Sequence, residues 1–168
     1  MKTILAVALL FLVSSLSHGQ EWKPSDKLLD AIRQVESSGG KFVYGDRGRS
    51  LGDFQMGRAA WTDVSQWRKA RNLTLYNYRT DVFRSDIARE YASNYLSILR
   101  TGLLKKLQRE PSASELYAAY NIGLTRFWEQ SRYDIRRINS MTARKCREIE
   151  TMIANTPTQL ANAAPSPK

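Results

Sequence analysis

The chain has 168 residues, with 26 Lys and Arg against 16 Asp and Glu, and a formal charge of +10 at pH 7. Its one histidine, His18, lies in the leader described below, and its one cysteine is Cys146. That inventory excludes Ser-His and Cys-His catalysis, an ordinary zinc site and an internal disulfide in the rest of the chain.

Residues 1–19 read as a secretory signal: Lys2, an apolar run over 4–13, then Ser17-His18-Gly19 as a small-x-small cleavage site. The run is too short for a permanent membrane span, and no cysteine near the cleavage point offers a lipid anchor. A mature chain starting near Gln20 is secreted or periplasmic, with no stable membrane anchor. Export makes nucleic acid a poor partner for its basic surface and favours anionic cell-wall polymers. One domain is expected over residues 20–154, followed by a disordered tail at 155–168 rich in Ala, Pro and Thr.

Ser25, after Pro24, is a plausible N-cap for the first helix. Leu28, Leu29, Ile32 and Val35 form one apolar stripe, and Glu36 falls on that stripe before Ser37-Ser38-Gly39-Gly40 ends the helix. A carboxyl in such a place is penalised when ionised, by burial and by the negative end of the helix dipole. A carboxylic acid that keeps its proton near neutrality is what a general acid needs.

Residues 42–54, with Gly45, Asp46, Gly48, Gly52 and Asp53, predict a short hairpin or paired loops. A helix follows at 58–67 and a connecting loop at 69–80. A long helix spans 81–100, which Gly102 either ends or kinks before Pro111 forces a break. Ser112 and Glu115 form a capping box opening a helix through Leu116, Ala119 and Tyr120. Two further helices are expected at 125–138 and 142–154, the last with Cys146, Ile149 and Ile153 inward. Arg132, Arg136, Arg137, Arg144, Lys145 and Arg147 make a late basic cluster, read as a solvated face or a substrate-attracting one.

Three pieces lie where one cleft collects them: Glu36-Ser37 at a helix end, Gly52-Asp53-Phe54-Gln55 in a loop, and Ala119-Tyr120-Asn121-Ile122-Gly123 at another helix's C-terminus. Glycine admits close backbone approach, Gln55 and Asn121 both donate and accept, and Phe42, Tyr44, Trp61 and Tyr120 offer flat faces for sugar rings. In this order the pieces resemble the SLT-type lytic transglycosylases and the related goose-type lysozymes. That family runs helix–Glu-Ser, Gly-Leu-Met-Gln, Ala-Tyr-Asn-x-Gly, and the resemblance spans residues 28–128.

The resemblance implies a mainly α, lysozyme-like α+β fold and cleavage of the β-1,4 bond between N-acetylmuramic acid and N-acetylglucosamine in peptidoglycan glycan strands, with no cofactor or metal. It implies that Glu36 protonates the glycosidic oxygen. Ser37, Gln55, Tyr120 and Asn121 would line the cleft, with Tyr120 close to the Glu36 carboxyl. A transglycosylase needs that one carboxyl only, whereas a hydrolase of the usual kind needs a second. Asp46, in Gly45-Asp46-Arg47-Gly48, resembles the water-positioning aspartate of goose-type enzymes. Asp53 is a weaker candidate, and turn chemistry alone accounts for either aspartate. The leading expectation is a lytic transglycosylase; the alternatives are a lysozyme using Asp46 and a non-catalytic wall-binding or assembly protein of the same fold.

Overall fold

The computed structural model describes residues 22–155, so the expected signal and, apart from Asn155, the expected tail lie outside the described residues. The protein is mainly helical, with a small three-stranded antiparallel sheet. Helix α1 is Asp26–Ser37, and the Ser25 hydroxyl caps it by accepting from Leu28 N–H at 3.3 Å. Leu28, Leu29, Ala31 and Ile32 are buried. The stop is made by Ser38 itself, in the left-handed region at φ 52°, before either glycine.

The glycine-rich stretch forms β1 (Tyr44–Gly45), a 3-10 turn and β2 (Ser50–Leu51), as a hairpin was expected to. A third strand, β3 (Met56–Gly57), extends the sheet in the order β1-β2-β3, and the sequence reading did not foresee it. The sheet is anchored at Gly52, where an added Cβ would lie 2.0 Å from the Val82 carbonyl oxygen and φ is +74°. Only glycine meets both conditions.

Helix α2 (Arg58–Lys69) packs on the long α4 (Ser85–Leu107). The intervening segment, read as loop, contains one short helix, α3 (Tyr78–Asp81), capped by the Asn77 side chain accepting from Arg79 N–H at 2.8 Å. Consequently α4 starts at Ser85 and not at residue 81. Gly102 neither ends nor breaks α4. It lies inside the helix because Leu124 packs there, with its Cδ1 only 2.5 Å from where a Cβ would stand.

Helix α5 (Ala113–Ile122) opens on the expected capping box: Glu115 N–H donates to Ser112 Oγ at 3.2 Å, and Ser112 N–H to Glu115 Oε2 at 2.8 Å. Every residue from Ser114 to Tyr120 is buried, which makes α5 the central helix, enclosed by α4, α6 and α7. The helix expected at 125–138 is two pieces. Helix α6 (Leu124–Ser131) stops where Arg132 and Tyr133 take positive φ. The chain then makes a 3-10 turn at Ile135–Arg137, capped by Asp134 accepting from Arg136 N–H. This reversal folds the Tyr133 ring back edge-on against buried Phe127, 5.3 Å between centroids. Helix α7 (Ser140–Asn155) buries Cys146 and Ile149 and packs across both α5 and α1.

Candidate active site

Glu36 stands in the last turn of α1, where α1 meets α7. Its side chain is only 8% exposed, as its place on the apolar stripe predicts, yet its immediate neighbours are polar. Tyr117 Oη and Asn121 Nδ2, both on α5, donate to Glu36 Oε1, the second at 3.3 Å. Lys145 Nζ, on α7, donates to Oε2 at 3.2 Å. The burial expected for this carboxyl is thus accompanied by a ring of three donors. The sequence stripe accounts for α1's own residues, but a side chain from α7 completes the ring.

The tyrosine touching Glu36 is Tyr117, not Tyr120. The Tyr120 hydroxyl donates to the Phe54 carbonyl at 2.8 Å, fastening α5 to the loop before β3, while its ring still lines the cleft. Both phenols are held well above the usual tyrosine range, first by burial and then by the nearby Glu36 charge. Tyr117 therefore remains a proton-bearing donor at any working pH. It was legible in principle: Tyr117 and Asn121 are four apart, so a helix that turns Asn121 toward Glu36 turns Tyr117 the same way.

A cleft of about 320 Å³ opens in front of Glu36. Asn121 and Tyr120 of α5 and Met141 and Lys145 of α7 line it, with Gly45, Asp46, Ser50 and Gln55 contributed by the sheet region. Asn121 is locked in place, since Thr142 Oγ1 donates to its Oδ1 at 2.9 Å, which leaves Nδ2 aimed at the acid. Gln55, at φ 47°, spends its amide donors on the Phe42 and Gly52 carbonyls at 3.0 and 2.9 Å. Its Oε1 occupies the space a Cβ on Gly45 would need, 2.0 Å away. Asp46 is exposed at the 3-10 turn and accepts from Ser50 Oγ at 3.1 Å, so one carboxylate besides Glu36 does face the cleft.

Ser37, expected to line the cleft, is buried behind it. Its Oγ donates to the Asp53 carbonyl at 2.6 Å and accepts from Gly40 N–H at 2.8 Å, tying the end of α1 to the loop carrying Gln55. Asp53 is likewise buried: it takes Arg33 Nε at 2.8 Å and Ser85 Oγ at 2.5 Å on Oδ2, a latch and not a second acid. Among the four aromatics, Phe42 and Tyr44 are 66% and 70% exposed and neither lines the cleft; the Tyr44 ring packs on Phe83. Trp61 instead is core, stacked 3.8 Å from Tyr91 with its indole N–H on the Tyr76 carbonyl.

Lys145 was read only as one member of a basic cluster, and Thr142 and Met141 carried no signal at all. None lies within the residues that resemble the family. No family model matches this chain, and comparison with curated proteins and with solved structures finds no match. Among the described residues, no helix is long and apolar enough to cross a membrane.

Proposed function

We propose that the protein is an exported lytic transglycosylase of lysozyme-like fold that cuts the β-1,4 bond between N-acetylmuramic acid and N-acetylglucosamine in peptidoglycan. The observation that carries this reading is the Glu36 carboxyl, buried at a helix end yet open to a cleft, with fixed donors on both oxygens. Helix α1 runs into a small antiparallel sheet while α5 and α7 form the facing wall. That arrangement is in keeping with the lysozyme-like class.

In this reading Glu36 gives its proton to the glycosidic oxygen, the C1–O bond breaks, and the glucosamine side leaves with a free 4-hydroxyl. The muramic acid 6-hydroxyl oxygen then bonds to C1, closing an anhydro ring. Its proton returns to Glu36, which ends as it began. Glu36 is acid and then base, so no second carboxylate and no water is consumed.

A second reading, a lysozyme, is favoured by one observation: Asp46 faces the same cleft. There Asp46 would position a water to attack C1, as in two-carboxylate glycosidases. Muropeptide masses after digestion of purified peptidoglycan separate the two, because transglycosylase products are one water lighter. Asp46→Asn leaves the first chemistry largely intact and cripples the second.

A further inference from the structure

We propose that Lys145 is a positioning residue for Glu36 and that α7, outside the segment resembling the family, is therefore part of the catalytic apparatus. The inference rests on the reading of Glu36 as the acid. Lys145 reaches over from α7 with 21% of its side chain exposed, against 8% for Glu36, and grips Oε2 alone. Tyr117 and Asn121 share Oε1. The carboxyl plane is thereby fixed from two helices, and Thr142, three residues before Lys145, fixes Asn121 from the same helix.

The chemical consequence follows from where charge appears. As Glu36 releases its proton to the leaving oxygen, negative charge grows on its two oxygens, and donors already in place stabilise it without reorganisation. The same grip then holds the carboxylate for the returning proton. The titratable and charged groups around Glu36 are Tyr117 and Tyr120 on α5, Lys145 on α7, and Asp46 across the cleft. Arg33, on Glu36's own helix, is engaged with Asp53. Both tyrosines stay neutral, which leaves Lys145 as the one cation among the described residues in contact with the acid.

The test compares wild type with K145M and K145R, each confirmed folded by thermal melting. K145M loses about tenfold or more in kcat with KM little changed, the usual scale for a misplaced reacting group. K145R recovers most of the loss. A kcat equal to wild type in K145M overturns the proposal. A readout independent of activity is the 13C resonance of the Glu36 carboxyl, which shifts in K145M and returns toward wild type in K145R. An unshifted resonance in K145M overturns the proposal even if activity falls. A resonance that shifts in K145M, together with a wild-type protein that cuts no peptidoglycan, upholds the grip and overturns the transglycosylase reading instead.

Discussion

Replacing Glu36 by Gln keeps the side chain's shape and one acceptor oxygen but removes the transferable proton. Turnover should fall by at least about 10²-fold, the scale of general-acid contributions, while binding to sacculi persists; a protein that only binds the wall would be indifferent. Tyr117→Phe removes one donor from Oε1 and should lower kcat by about tenfold with KM nearly unchanged, because the lost interaction strengthens only as charge develops. Ser37→Ala acts through stability: it strips the Asp53 carbonyl and Gly40 N–H of their buried partner and should cost about 1–3 kcal/mol in denaturant unfolding. At this scale the sequence brought Glu36, Gln55, Tyr120 and Asn121 to one cleft because short motifs hold them at fixed places on loop and helix ends. It misplaced Ser37 and Trp61, and missed Tyr117, because a motif reveals proximity along the chain, not which way a side chain turns. Lys145 is 109 positions from Glu36, and no local pattern links residues so far apart.

Among the elements, the legible ones carry their own punctuation. The Ser112–Glu115 box and the Ser25 cap are where their residue types require. Gly102 was misread because Leu124, from α6, packs on it, and the end of α6 because Arg132 and Tyr133 take positive φ and fold the Tyr133 ring onto Phe127. Gly52→Ala should destabilise the protein severely, by more than about 2 kcal/mol, since it combines a backbone clash at Val82 with a positive φ; a melting temperature matching wild type would contradict the anchoring role. The capping box also predicts a pH effect. Burial pushes the Glu115 carboxyl up, but the Arg109 pair and the Ser112 N–H outweigh it and hold the group below its ordinary value. A carboxyl lowered on folding adds stability that is present above the ordinary carboxylate range and is lost as pH falls through its folded value. Glu115→Gln should therefore lower the melting temperature at pH 7 and flatten its fall between pH 5 and pH 3, which thermal melts over that range would read directly.

For the molecule as a whole, a surplus of basic over acidic residues faces a polyanionic substrate in the proposed setting. Activity on whole sacculi should fall with added salt more steeply than activity on short soluble fragments, because exposed cations act over a distance that salt shortens. Equal salt dependence would assign the basic surface no part in substrate attraction. Composition and helical periodicity made the mainly α architecture readable, whereas the meeting of α1, α5 and α7 around one carboxyl depends on packing that spans the chain. The most direct test of the central claim is the mass of the muropeptides released from purified peptidoglycan. Products one water lighter than hydrolytic ones, carrying an anhydro end, are predicted; ordinary reducing ends, or no release at all, would contradict a single-carboxyl transglycosylase built on Glu36.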